Sequence, residues 1–242
     1  MPPPVPGAGG YSAPDAFSYG WGKFKAKPAD LLVPVLIVAV AIIVLEVILQ
    51  ILLRATLLGT HSCTRTIFGQ AVQSTCGPGL FVSLIGSALG GFVISLITQM
   101  LGAGLIKNAL NVADGRPVSL SELAEYAKRP QVITAALIVA GATFIGTILC
   151  YIPGIVAAFL LNWTMFYVVD EDMAPMDAAK ASVSFVTSHL GETLVFYLLG
   201  ILAFFVGAIL CGVGLLVAAP VVLVAAAYTF RMLNGRQVTA VA

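Results

Sequence analysis

Six long apolar runs, separated by short polar segments, dominate the pattern of this chain. A helix needs about 20 apolar residues to cross the hydrocarbon core of a bilayer, and the runs approach or exceed that length. The pattern therefore predicts an all-α, polytopic membrane protein with six transmembrane helices. The predicted spans are Leu31–Leu58, Leu80–Lys107, Val132–Tyr151, Ile155–Val169, Thr193–Leu210 and Leu215–Tyr228.

The last four spans form two pairs whose turns contain almost no polar residues. We place these turns at Pro153-Gly154 and at Gly212-Val213-Gly214, because proline suits the first turn of a helix and glycine permits a tight reversal. A single helix covering either pair would have about 38 residues, far more than one crossing requires. Each pair is therefore predicted to be a helical hairpin.

A short amphipathic segment precedes the first, third and fifth spans. In the first segment Phe17, Trp21 and Phe24 fall on one helix face, and we predict that they are interfacial anchors. The segments "ADGRPV" and "LNGRQV", which leave the second and sixth spans, are alike, and "DEDMAP" after the fourth is a looser counterpart. The chain is therefore predicted to contain three parallel repeats, each an interfacial helix followed by two spans.

Composition and charge agree with this interpretation. The chain is 60% hydrophobic and 10% charged, whereas a soluble domain carries roughly 25% charged residues. With six spans, ten of the 12 lysines and arginines fall on one side, which should be the cytoplasm. We predict a bacterial cytoplasmic membrane protein with both termini inside. Its divisions are a disordered tail over 1–14, a membrane domain over 15–236 and a short tail over 237–242.

Three motifs carry a resemblance to a known family: the aromatic segment before the first span, the "IPG" turn (Ile152–Gly154) and the "AP-x-DA" helix start (Ala174–Ala178). Together they resemble the membrane domain attached to some bacterial glycerophosphoryl diester phosphodiesterases, and the Pro/Gly-rich front end is similar to actinobacterial members. The resemblance covers about residues 15–236 and implies the six-helix fold. It carries over no catalytic residue, because the catalytic barrel of that family is a separate domain.

Glu46, Gln50 and Arg54 share one face of the first predicted span. A carboxylate at bilayer depth is costly and is a functional hypothesis by default. The three residues could form a proton or cation site or line a substrate path. Alternatively, a protonated Glu46 could hydrogen-bond a polar group on another helix, such as Gln99 or Asn162.

The four cysteines all fall on the predicted outer side. Cys63 and Cys76 bracket the outer loop and are a candidate disulfide, because extracytoplasmic compartments are often oxidising. Cys150 and Cys211 are a second candidate pair, with two buried free thiols as the alternative. Their spacings are not those of a zinc site, so we expect no metal, and the sequence indicates no cofactor.

No catalytic arrangement or nucleotide-binding loop is recognisable, and we expect neither enzyme activity nor nucleic-acid binding. The sequence favours a non-enzymatic accessory or organising component of the bacterial envelope, with membrane lipids and other envelope proteins as partners. The alternative is a transporter or lipid-handling protein with a polar path at Glu46, Gln50 and Arg54. A cavity at these residues would favour the alternative.

Overall fold

The computed structural model describes residues 10–56, 59, 61–67, 70–77, 79–149, 151–209 and 213–240. Six stretches of helix in this part of the chain are long and apolar enough to cross a membrane, which confirms the predicted class. The fourth span comprises two helices, α6 and α7. The elements are α1 Ala13–Ala26, α2 Pro28–Thr56, β1 His61–Ile67, β2 Gln70–Cys76, α3 Leu80–Ala113, α4 Leu120–Ala127, α5 Pro130–Leu149, α6 Tyr151–Leu161, α7 Thr164–Glu171, α8 Pro175–Ser188, α9 Leu190–Ile209 and α10 Val213–Leu233.

The segment between α2 and α3, which was predicted to be an outer loop, contains the two strands among the described residues. Strands β1 and β2 form an antiparallel hairpin in which His61 pairs with Cys76 and Cys63 pairs with Ser74. Alternating threonines at Thr64 and Thr66 favour an extended chain, because β-branched residues fit a pleated surface. The hairpin joins α2 to α3 and lies outside the helical bundle's repeated pattern.

Both predicted helical hairpins are confirmed, and each is closed by a pair of glycines. A Cβ on Gly146 would lie 2.9 Å from the Gly154 Cα, and a Cβ on Gly207 would lie 2.9 Å from the Gly214 carbonyl carbon. Without side chains at these positions, α5 approaches α6 closely, and α9 approaches α10 in the same way. Sequence placed the first turn at 153–154, whereas α6 already begins at Tyr151.

The element order gives three units of a short helix followed by two spans. Each short helix packs on the second span of the preceding unit: α4 on α3, α8 on α6 and α7, and α1 on α10. The last of these contacts closes the chain into a ring. Gly20 makes that closure possible, because a Cβ there would overlap the backbone oxygen of Val221. The predicted repeat is therefore an arrangement in space as well as in sequence.

A cluster of aromatic side chains from the second and third units lies in the core of the bundle. Trp163 and Phe230 are fully buried and stack with ring centroids 6.2 Å apart. Phe166, Phe185 and Phe196 surround Trp163 at centroid distances of 5.1 to 5.8 Å. By contrast, the first spans α2 and α9 present many exposed aliphatic side chains, which suit contact with lipid.

The three exits from the second spans share one backbone feature. Gly115, Asp172 and Gly235 have positive φ angles of 76°, 52° and 72°. At Gly115 and Gly235 the following amide bonds back to the carbonyl five residues earlier, the Schellman arrangement that ends helices. Asp172 lacks glycine's freedom, which explains why the second exit matched only loosely in sequence.

The three aromatic residues of α1 that were predicted to be interfacial anchors differ in how far they are buried. Phe24 is buried, Phe17 is half-buried with its ring 5.4 Å from that of Phe196, and Trp21 stays 46% exposed. The face of α1 that packs on α10 includes Gly20, which lies against Val221, and Tyr19, whose ring centroid is 4.8 Å from that of Tyr228. Helix α1 begins at Ala13, two residues before the predicted tail boundary, and the Tyr11 hydroxyl lies 3.0 Å from that of Thr229. Residues 1–9 lie outside the described residues.

Candidate functional site

An intramembrane cavity of about 640 Å³ lies between the helices of all three units. Its lining is mostly aliphatic and aromatic, with polar groups from α3, α5, α9 and the turn after α6. Gln99 Nε2 donates to Ser95 Oγ at 3.3 Å. The buried Tyr197 hydroxyl lies near the Asn162 amide but makes no hydrogen bond of standard geometry. The polar lining residues are Ser95, Gln99, Thr143, Asn162 and Tyr197.

The predicted polar site is divided by the structure. Gln99 and Asn162 line the large cavity, whereas Glu46 and Gln50 line a separate cavity of about 170 Å³ beside Ser87, Gly90 and Gly91 of α3. Arg54 lines neither of these cavities. The reason is position along α3: Gln99 lies about eight residues, or roughly 12 Å, beyond Gly91 toward the other end of the helix. Glu46, Gln50 and Arg54 are all exposed on the surface of α2.

The fourth span is interrupted at Asn162 and Trp163, beside the large cavity. Ser182 of α8 supplies the hydrogen bonds that the break removes. Its hydroxyl accepts from the Trp163 amide at 3.1 Å and donates to the Leu160 carbonyl at 2.7 Å. A backbone break at membrane depth is tolerated when such partners satisfy it. Helix α8, the short helix of the third unit, therefore holds in place the part of the cavity wall that the second unit supplies.

A buried ion cluster joins the three exits at the end of the bundle that carries the chain termini, which we call the basic end. Arg231 of α10 is 5% exposed. Its Nε and Nη2 donate to the Asp114 carboxylate at 3.1 and 2.9 Å, and its Nη1 donates to Asp170. Arg236 donates to Asp170 at 2.6 Å and to Glu171 at 2.9 Å. Each unit thus contributes a charged partner.

Sequence reasoning used Arg231 and Arg236 only to orient the chain and gave little weight to the acidic residues of "DEDMAP". The usable signal was an arginine just beyond the last predicted span and about one turn before the Gly-Arg pair that two exits share. Pairing it with Asp114 and Asp170 required the ring arrangement, because these partners lie 117 and 61 positions away in the chain.

The C-terminal segment also ties the third unit to the first. The Thr239 amide donates to the Ala113 carbonyl at 2.9 Å, and the Tyr19 hydroxyl donates to the Thr239 carbonyl at 2.9 Å. Burial raises the pKa of Tyr19 to about 12, so this hydroxyl remains a donor at neutral pH. Lys23 donates to the Ala240 carbonyl at 2.8 Å. Burial, with a smaller repulsion from Lys27, lowers the pKa of Lys23.

Cys63 is disulfide-bonded. The hairpin register places the Cys76 backbone two residues beyond the partner of Cys63, which is compatible with the predicted Cys63–Cys76 bridge. That pairing stays a prediction, and Cys150 and Cys211 lie outside the described residues. Within the described ranges no group of three histidine, cysteine or acidic residues could hold a metal ion.

Comparison with known proteins places the chain among mycobacterial relatives. No family model and no solved structure matches it significantly. The uncharacterized protein Rv2560 of Mycobacterium tuberculosis is 31% identical over 247 aligned positions, which cover 98% of this chain and 74% of the relative. The uncharacterized protein Mb2590 of Mycobacterium bovis matches with the same identity and coverage. Because the similarity extends over nearly the whole chain, this protein belongs to the family of the uncharacterized mycobacterial proteins Rv2560 and Mb2590.

Proposed function

We propose that this protein is a non-enzymatic component of the bacterial cytoplasmic membrane that holds the apolar part of a lipid-like molecule within its helical bundle. The observation that supports this is the cavity of about 640 Å³. Ligand pockets commonly have volumes of about 300–1,000 Å³, apolar walls and a few polar groups. This is the lipid-handling alternative, with the site at Gln99 and Asn162 rather than at Arg54.

An apolar ligand suits the cavity for a physical reason. The interior of a protein is close-packed, and side chains that line an empty space between helices lose dispersion contacts. The cavity is open on part of its surface, so an acyl or isoprenoid chain could enter from the surrounding lipid. Filling the space would restore the missing contacts without moving the helices.

The polar lining supplies selectivity in this proposal. Gln99 and Asn162 offer amide donors and acceptors, and the Tyr197 hydroxyl makes no hydrogen bond of standard geometry. A ligand bearing an ester or hydroxyl group near its chain would satisfy these groups. A pure hydrocarbon would leave the buried Tyr197 hydroxyl unsatisfied, at a cost of about 1–3 kcal/mol.

A cavity-filling substitution tests the proposal. Gly102 lines the cavity, and a Cβ there would meet no atom within 4 Å. Gly102→Leu should therefore occupy the space without disturbing the fold. Gly141→Leu is the matched control, because Gly141 is also a helical glycine with open space around it but does not line the cavity. Native mass spectrometry in mild detergent would count the lipid retained by each variant.

We expect the wild-type protein and Gly141→Leu to retain a bound lipid and Gly102→Leu to lose it. Equal retention by the two variants, or no retained lipid in the wild-type protein, would contradict the lipid-handling proposal. Thermal stability measured in the same detergent verifies that both variants are folded.

The organising role remains a second candidate because of the surface of α2. Glu46, Gln50 and Arg54 are exposed there among aliphatic side chains. A carboxylate facing lipid is costly, so a helix of another envelope protein would stabilise this face by covering it. A photoreactive residue at Val47 should then form a protein adduct that Glu46→Leu abolishes. The same probe at Ile201, on exposed α9, should label lipid only.

The resemblance to the membrane domain of phosphodiesterases stays a prediction. It adds no catalytic residue to either candidate function.

A further inference from the structure

Two recesses adjoin each other at the basic end, away from the cavity of about 640 Å³; one has a polar lining, and the other has a more apolar lining that carries charged side chains. The first, of about 410 Å³, is lined almost entirely by polar atoms. The second, of about 300 Å³, lies between α1, the start of α2 and the exit from α3. Arg116 lines both recesses and is the cation they share. The first recess is lined by Lys107, Asp114, Arg116, Asp170, Arg231, Arg236 and Gln237.

Both recesses carry an excess of positive charge. The first has four cationic and two acidic side chains, a difference of +2. The second has Lys23, Lys27 and Arg116 against Asp30, again 3 − 1 = +2. The two carboxylates of the first recess are already engaged by Arg231 and Arg236. Glu171, just outside the lining, also pairs with Arg236, so the cations of the first recess without an ion pair among the described residues are Lys107 and Arg116.

Two of the four cations that line the first recess have no carboxylate partner among the described residues. Within the described residues, neither Lys107 nor Arg116 has an acidic group within ion-pair distance. Lys107 instead lies 5.5 Å from the centre of the Tyr126 ring, and Arg116 is exposed at its exit. A protein can satisfy such groups with water, but a partner of opposite charge would satisfy them better.

We propose that the two recesses around Arg116 form a binding site for a phosphate group. The planar guanidinium of Arg116 would make paired hydrogen bonds to two phosphate oxygens, and the Lys107 ammonium would add a point charge. The buried cluster beneath them holds Arg231 and Arg236 in place, so the site is preorganised on its inner side. Basic pockets between membrane helices are typical sites for phospholipid head groups.

This site is independent of the proposed function, because packed side chains separate it from the cavity. Val168 and Ala227 are almost completely buried and lie between the cavity-lining and recess-lining positions of α7 and α10. A phosphate group could come from an anionic lipid at the headgroup layer or from a soluble phosphate compound. Both sources present the same oxyanion to Arg116.

The experiment uses the full chain in nanodiscs of neutral phosphatidylcholine. In one arm, equilibrium dialysis with radiolabelled inorganic phosphate measures binding of the soluble anion. In the other arm, phosphatidic acid is added to the nanodiscs, and native mass spectrometry counts the acidic lipids retained. Arg116→Gln is the test variant, with Lys107→Gln as a second. Lys128→Gln is the control, because Lys128 is an exposed cation at the same end but lies outside both recesses.

We expect Arg116→Gln to weaken binding about tenfold, which corresponds to about 1.4 kcal/mol, because it removes charge-assisted hydrogen bonds, and Lys128→Gln to leave it unchanged. Binding in the first arm alone supports a soluble phosphate ligand, and binding in the second alone supports a lipid head group. Absence of binding in both arms overturns the proposal. An equal loss in Arg116→Gln and Lys128→Gln also overturns it, because bulk surface charge would then explain the binding.

Discussion

Replacing Arg231 with glutamine should destabilise the whole bundle, because this side chain connects the exits of all three units. Its guanidinium makes three hydrogen bonds to Asp114 and Asp170. The Asp170 side chain is 7% exposed and that of Asp114 is 23% exposed. In Arg231→Gln, Asp114 loses its cation and Asp170 keeps only Arg236. The remaining carboxylates are then buried with too little positive charge beside them.

The magnitude follows from that geometry. Removing one partner of a buried ion pair costs about 3–5 kcal/mol, and Asp114's partial exposure favours the lower half of this range. For a chain of this size each kcal/mol corresponds to a shift of about 2–4 °C in the unfolding midpoint. We therefore expect the midpoint in a fixed detergent to fall by roughly 6–16 °C. A fluorescence-detected thermal scan measures this directly.

Two further variants test the physical reason. Arg54→Gln removes an exposed cation that has no ion pair within the described ranges, and should change stability by no more than about 0.5 kcal/mol. Adding Asp114→Asn to Arg231→Gln removes an uncompensated carboxylate and should recover part of the lost stability. The reasoning fails if Arg231→Gln shifts the midpoint no more than Arg54→Gln does.

Three other predictions concern the break in the fourth span, the ring closure and the β-hairpin between α2 and α3. Ser182→Ala leaves the Trp163 amide unpaired and should cost about 1–3 kcal/mol, whereas Ser184→Ala, on the exposed side of α8, should be nearly neutral in the same thermal scan. Gly20→Leu should detach α1 from α10, because the side chain would overlap a backbone oxygen. Limited proteolysis should then cleave within α1. Resistance equal to that of the wild-type protein would count against the ring closure. Cys63 should appear by mass spectrometry in a disulfide-linked peptide with Cys76 that disappears after reduction, and a free thiol at Cys63 in the oxidised protein would contradict the bridge.

Much of the architecture was accessible from sequence because lipid imposes simple constraints on length and polarity. The apolar runs gave the six spans, and the repeated exits indicated three units. The paired hairpins also followed, because proline and glycine mark reversals. The boundaries were less certain: α6 starts at Tyr151, before the predicted turn, since the close contact between Gly146 and Gly154 governs the reversal.

The candidate site was only partly accessible. Gln99 and Asn162 were recognised as polar residues in apolar spans, and both line the cavity. The sequence could not show whether Gln99 and Asn162 lie near Glu46, because helical periodicity relates residues within one helix but not residues on different helices. Tyr197 carried no distinguishing signal, since a tyrosine in a span is usually an ordinary packing or interfacial residue.

The sequence by itself determined that this chain lies across a membrane and in which order its helices follow one another. It also determined that the chain repeats one unit three times. Those properties depend on local composition, on the length of apolar segments and on backbone freedom at glycine. Only the tertiary structure decided which charges meet, where the helices leave a cavity and how α1 closes the ring. These features depend on contacts between residues far apart in the chain. Side-chain volumes determine those contacts only when the helices pack against one another.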